Sequence, residues 1–346
     1  MAMADVTIYG AGIFGLSIAW SCVKRGARVQ VIDPNGPGAG ASGGIVGALA
    51  PHVPENWNAK KAFQFESLVM AEGFWAEVAQ AGGQDAGYSR AGRLQPIADE
   101  AQLQLAQARA AGAAELWQGR AQWDVVAVGE SHPFAPPSPS GWLIFDTLSG
   151  HLHPRRAIDA LVAALQTMEV EIKTHGVRQG QVLYATGVAD LTALSAAKGR
   201  LVGAGVKGQA ALLEFDAGQA PQVFADALHF IPHRDGTLAV GSTTERDFED
   251  PTAPDAALDD LIDRARRAMP ALGAAPVIQR WAGLRPRSRS RAPMLGVHPL
   301  HQQAFIANGG FKIGFGMAPK VGEVMAQLML ENIDTIPSDF RPDASF

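Results

Sequence analysis

The chain has 346 residues, enough for two domains, and with 47% hydrophobic residues it does not lack material for a core. Its 38 glycines and 22 prolines are neither periodic nor run together, so they read as tight turns and not as disorder. A net charge of −5 excludes a general drive toward nucleic acid or anionic membrane, and no apolar run reaches transmembrane length.

Residues 6–33 predict strand, glycine turn, helix and strand. Gly10, Gly12 and Gly15 form a GxGxxG fingerprint. The first permits the tight turn, the second a close pyrophosphate, the third close helix–strand packing. The free N–H groups and dipole at the helix start favour phosphate. Asp33 closes the second strand, where its carboxylate can receive ribose hydroxyls. The first residues enter the strand almost at once, leaving no room for a signal peptide. Cys22 is the only cysteine, so no internal disulfide forms and a reducing, cytoplasmic setting is expected.

A second glycine-rich stretch, PNGPGAGASGGIVGALAPHV, follows Asp33. It turns apolar where a solvated linker would stay polar, so it is expected to line a cofactor. Residues 59–81 predict a helix stopped by Gly82 and Gly83, and 88–97 a strand pair. A Gln/Ala-rich helix runs to about residue 111. The Pro/Ser-rich 132–141 is a candidate domain crossing. GWLIFD predicts a strand, and Pro154 starts a helix. His151 and His153 have no third ligand at metal spacing, so no metal is expected. Strands follow at 170–172 and 182–184, the second ending in Ala185, Thr186 and Gly187. Longer β segments cover 201–215 and 229–242. An amphipathic helix spans 255–269, a strand 304–307, and a last helix follows NGGFKIGFGMAP. Glycines cluster at 10–15, 36–47, 187 and 309–316, as a long dinucleotide would require. The last cluster opens a helix whose dipole favours negative charge, which a reduced flavin carries and a nicotinamide does not.

The fingerprint, ASGGIVGAL, YATG, GVKGQ, FIPHRDGTLAVGSTTE, WAGLRP and GGFKIGFGMAP occur in one order along nearly the whole chain. Together they resemble the FAD-dependent amine oxidase family of D-amino acid oxidase, glycine oxidase and sarcosine oxidase, the glycine oxidases most of all. The resemblance implies an α/β fold. A Rossmann-like FAD domain of the glutathione-reductase type would be assembled from 1–80, 142–205 and 279–346. A substrate domain with a large mixed or antiparallel sheet would use 81–141 and 206–278. FAD would be non-covalent, because relatives that link it use a late cysteine. The residues expected along it are Gly10, Ala11, Gly12, Ile13, Phe14 and Gly15, then Asp33 and Pro34. From the second glycine stretch come Ala41, Ser42, Gly43, Gly47, Ala48 and Leu49. Val177 is expected beside the adenine, followed by Ala185, Thr186 and Gly187. Gly310, Phe311, Lys312, Ile313 and Gly314 close the set.

Arg285 in GLRP matches the family's carboxylate-binding arginine; its planar fork suits a carboxylate, whereas Arg287, Arg289 and Arg291 read as a basic surface run. His229 falls where glycine oxidase has a substrate-facing tyrosine, although a one-residue slip would put Phe230 there. His52 could project toward the ring. Gly310 and Lys312 replace the family's His and Arg, which keeps a charge and loses the fork. The implied reaction is oxidation of a C–N bond in a small amino acid or secondary amine, with oxygen or another acceptor, no nucleic acid and no membrane, and with room for a homo-oligomer. A flavin dehydrogenase or 2-hydroxy acid oxidiser, an NAD(P) enzyme using the same fingerprint, and a non-catalytic flavin protein stay open.

Overall fold

The computed structural model describes residues 3–346. The chain opens with β1 (Val6–Tyr9), α1 (Ile13–Val23) and β2 (Val29–Ile32), then β3 (Ala48–Leu49), α2 (Ala59–Gly82), β4 (Arg93–Pro96) and α3 (Glu100–Leu116). Next come β5 (Trp123–Ala127), β6 (Trp142–Asp146), β7 (Gly150–His151), α4 (Pro154–Thr167), β8 (Glu171–Lys173), β9 (Gln181–Tyr184) and α5 (Val188–Lys198). The remainder is β10 (Gly203–Glu214), β11 (Gln222–Ala225), β12 (Leu228–Pro232), β13 (Thr237–Gly241), α6 (Ala256–Ala268), β14 (Val277–Ser288), β15 (Met294–Val297), β16 (Ala304–Asn308) and α7 (Gly314–Glu331).

Six strands form one sheet in the order β15-β16-β9-β1-β2-β8, parallel except for the β15–β16 pair. On one face its central strands present Val6, Ile8, Val29 and Val31 to the core with α1; on the other, buried Thr7 and Gln30 bond to each other and to the backbone of Val177 and Gln179. All eleven residues of α1 are buried between this sheet and α4 and α7. Cys22, in that helix, is fully buried, and burial pushes its thiol up to about 12. A Cβ on Gly322 of α7 would lie 2.7 Å from the Ser17 carbonyl oxygen of α1, so glycine there sets how closely the two helices approach.

Eight strands form the second sheet, ordered β14-β10-β13-β12-β11-β4-β6-β5 and antiparallel except for β11–β4. Side chains alternate across it. Phe230, Val240 and Leu213 face α6, packing on Leu258, Leu261 and Ile262. Ile231, Ala239 and Ala210 face Ile45 and Val46 on the opposite side. The α/β class with a large mixed sheet beside a Rossmann-like sheet is as expected.

Four local expectations change. Residues 88–97 give one strand, β4, with only an isolated bridge between Ser89 and His151, because Gly92 at φ +86° bends the chain between them. The Pro/Ser-rich 132–141 is the turn of the β5–β6 hairpin and not a crossing; Ser138 Oγ pins it, accepting the Ile97 N–H at 3.1 Å and placing its one proton within reach of the carbonyls of Ile97 at 2.8 Å and Trp142 at 2.6 Å. The boundary placed at 141/142 therefore falls inside that hairpin, and β6 belongs to the eight-stranded sheet. The boundary at 278/279 likewise cuts β14, which pairs with β10 over nearly its whole length. β14 was not foreseen because arginines, Trp281, Gly283 and Pro286 mask its alternation. As an edge strand it tolerates Pro286, which donates nothing and instead accepts the Phe311 N–H at 3.0 Å.

Candidate active site

A cavity of about 1170 Å³ runs from the C-terminal ends of β1 and β2 to the face of the larger sheet. The fingerprint residues Gly10, Gly12, Ile13 and Phe14 line it, as do Asp33, Pro34, Ala41, Ser42, Ala48, Ala185, Thr186 and Gly187. Gly310, Phe311, Lys312, Ile313 and Gly314 line it from the last glycine cluster, and His52, His229 and Arg285 from the expected substrate side.

Two helix N-termini meet at this cavity. A Cβ on Gly310 would lie 2.9 Å from Phe14 Cζ, and one on Gly314 3.6 Å from Ile13 Cγ2, so the starts of α1 and α7 adjoin. Neither first turn carries an acidic residue, which leaves both dipoles uncompensated. Ser42 Oγ accepts the Ile13 N–H at 3.0 Å. Asp33 accepts the Ala11 N–H at 2.8 Å through Oδ2 and the Asn35 N–H at 3.0 Å through Oδ1. Each oxygen keeps a lone pair for a hydroxyl. A Cβ on Gly12 would meet only Ser42 Oγ, at 3.2 Å, so its missing side chain is open space at the helix start. The cavity is larger than the roughly 300–1,000 Å³ that drug-sized ligands use. Its size, phosphate-favouring helix starts and ribose-side carboxylate suit FAD with a small substrate beside it.

Six expected residues do not line the cavity. Ala11 and Leu49 are core. The glycines Gly15, Gly43 and Gly47 make room for protein: a Cβ on each would lie 1.9 Å from Gly10 O, 2.3 Å from Gly38 O and 2.0 Å from Leu152 O respectively. Val177 is 78% exposed, and its carbonyl is taken by Gln30 Nε2 at 2.8 Å.

On the substrate side, Arg285 is 8% exposed. Nη1 donates to Ser242 Oγ at 2.6 Å, and Nη2 to the carbonyls of Thr243 at 2.6 Å and Lys207 at 3.3 Å. Three of its five N–H groups are thus committed, and buried Nε has no partner. The expected fork is therefore partly used to fix the side chain. Burial lowers the Arg285 pKa to about 10, opposed by Glu245, so the group stays charged at neutral pH. Its path lies over Gly208, where a Cβ would come within 2.2 Å of Nη2.

His229 faces the cavity while Phe230 is in the core under α6. Burial, then the charges of Arg93 and Lys312, push His229 down to about 3, so it is neutral at pH 7. Its Nδ1 is 3.3 Å from Gln222 Oε1. Lys312 keeps solvent access through the cavity, yet burial and the Arg285 charge lower it to about 8. His52 pairs through Nδ1 with Gln64 Oε1, and burial lowers its pKa.

Several cavity residues were not foreseen: Arg93, Ser242, Trp281, and an aromatic stack of Tyr9, Tyr184 and His301 with centroids 5.2 and 4.6 Å apart. The two tyrosines were recoverable in principle, since each ends a strand of the expected parallel sheet. Arg93 and Ser242 carried no local signal.

A family model described as DAO, FAD dependent oxidoreductase, matches residues 5–328. The chain is 28% identical over 353 residues to the bifunctional protein ThiO/ThiG of Synechocystis sp., covering 95% of this chain and 52% of that protein, so it spans about half of that relative's length. It is 25% identical over 370 residues to a glycine oxidase of Pseudomonas putida, covering 98% of each. Its fold matches the crystal structure of glycine oxidase from Geobacillus kaustophilus with a TM-score of 0.82 at 21% identity, over 98% of both chains. With the family match running from β1 into α7, the chain belongs to the DAO family of FAD-dependent oxidoreductases.

Proposed function

We propose that this oxidoreductase oxidises the C–N bond of a small amino acid or secondary amine. The observation that carries the proposal is Arg285: a buried, charged guanidinium on the cavity wall with an Nη1 N–H left over. Such a group takes a carboxylate and disfavours neutral amines. Ser242 Oγ accepts from Nη1 and keeps its own hydroxyl proton for the same carboxylate. Neutral His229 can accept a hydrogen bond from the substrate nitrogen without repelling it. FAD held by the glycine clusters and Asp33 would supply the two-electron oxidation of the amine to an imine, whose hydrolysis gives an oxo acid and an amine, with oxygen the proposed final acceptor. No strong protein base is needed if the amine enters neutral. The test is product stoichiometry with glycine, sarcosine and D-alanine: one oxo acid and one hydrogen peroxide per oxygen consumed. Oxo acid without oxygen uptake would move the reading to a dehydrogenase. A cytoplasmic setting is proposed on the lone, buried thiol.

Two further outcomes follow from the same groups. Lys312 is protonated below about 8 and neutral above it. Acetate, which has no titrating group in that range, should bind the holoenzyme more weakly as pH rises through about 8. Lys312→Met should flatten that limb and Lys312→Arg should move it upward, both followed by perturbation of the flavin band. Secondly, Cys22 cannot reach the cofactor from inside α1. Acid denaturation should therefore release all flavin into the supernatant, and a thiol reagent should titrate no thiol before unfolding and one after it.

A further inference from the structure

Arg93 sits on β4, is 6% exposed, and lines the same cavity as Arg285. Its Nε donates to Asp146 Oδ2 at 2.9 Å. Asp146 is fully buried, and its other oxygen accepts the Ser149 N–H at 2.8 Å. Among the described residues, no protein acceptor meets the two terminal nitrogens of Arg93. A guanidinium wanted only to neutralise Asp146 would present both prongs of its fork to that carboxylate. This one uses a single prong and leaves its far end to the cavity.

Strand register places the two arginines on either side of His229. Arg285 is fixed to Ser242, which follows Gly241, and Gly241 pairs with His229. On the other side His229 contacts Gln222, which pairs with Arg93. Ser242 and Arg93 are thus three strand steps apart, about 14 Å between backbones before either side chain reaches inward. Lys312 approaches the same space from the last glycine cluster. The lowered proton affinity of His229 traces in part to Arg93 and Lys312, and that of Lys312 in part to Arg285, so the cations share one electrostatic neighbourhood. One carboxylate on a substrate would answer Arg285 and leave the Arg93 end without a partner.

We propose that the cavity selects amines bearing two carboxylates, one held at Arg285 and the second at the unpartnered end of Arg93. This rests on the amine-oxidising reading for the word amine only; the two-carboxylate selectivity stands on the two arginines. Arg93 then acts as a specificity-determining residue, with Asp146 holding its guanidinium in place.

The test begins with the unmodified holoenzyme. Malonate, succinate and glutarate are titrated against their monoamides, following perturbation of the flavin band. The expected result is that at least one diacid binds about tenfold or more tightly than its monoamide, the scale of a charge-assisted hydrogen bond. Equal affinity within every pair overturns the inference. Arg93 alone cannot safely be removed, because Asp146 would be left as an unpaired buried charge. The variant is therefore Arg93→Met with Asp146→Asn, which should abolish the diacid preference, while Arg93→Lys should retain part of it. If the double variant does not hold flavin, the wild-type comparison still decides. In turnover, D-aspartate should exceed D-asparagine in kcat/KM. Equal turnover of the two sinks the inference and leaves amine oxidation standing. Diacid preference without oxidation of any amine has the opposite meaning.

Discussion

Replacing Arg285 by methionine is expected to lower kcat/KM for carboxylate-bearing amines by about one to two orders of magnitude, with most of the loss in KM. After its bonds to Ser242, Thr243 and Lys207, and with Nε closed to solvent, one Nη1 N–H of this side chain remains for a ligand. Each charge-assisted hydrogen bond is worth about 1.5–3 kcal/mol, and about 1.4 kcal/mol is a factor of ten. Arg285 itself is buried, so little of this is screened. Arg285→Lys should recover about tenfold, since a point charge survives but cannot hold three protein acceptors and a substrate together. Flavin content should stay near wild type in both variants, because the guanidinium's protein bonds lie within the larger sheet. Steady-state kinetics with a flavin-to-protein ratio checks this. An unchanged KM in Arg285→Met would place the carboxylate elsewhere.

Gly15→Ala is expected to lose both flavin and stability, whereas Gly12→Ala should lose flavin alone. A Cβ at position 15 would lie 1.9 Å from the backbone oxygen of Gly10, which forces α1 away from the turn. Overpacking of this kind costs about 3 kcal/mol, or roughly 4 °C in Tm for a chain of this size. The Gly12 methyl meets only Ser42 Oγ, at 3.2 Å, and otherwise fills open space at the start of α1. Thermal unfolding of the flavin-free proteins separates the two: Gly12→Ala should melt with the wild type, Gly15→Ala below it. Equal melting temperatures would show that the fingerprint's third glycine has no packing role.

Those two glycines also explain what could be read in advance. A strand–turn–helix–strand pattern with an acid at its end is local, and local pattern survived folding: Gly12, Ile13, Phe14 and Asp33 all line the cavity. The identity of a glycine does not say what approaches it. Gly43 and Gly47 looked like ligand contacts and instead admit the backbones of Gly38 and Leu152. Val177 was placed by analogy in a short connection and lies exposed outside the cavity. Arg285 was legible because its motif surrounds it. Arg93 was not, because its partner Asp146 is distant in sequence and the two meet only through the β4–β6 register. β5 and β14 escaped for a related reason: edge strands need only one paired side, and their sequences carry little alternation.

The most direct test is anaerobic titration of the purified, flavin-containing protein with a panel of amines: glycine, sarcosine, D-alanine, D-proline, D-aspartate and D-asparagine. The expected result is loss of the flavin's long-wavelength visible band with at least one of them, fastest with D-aspartate, and return of the band on admitting oxygen. A protein that carries flavin and is bleached by none of these, but is bleached by a 2-hydroxy acid, would contradict amine oxidation.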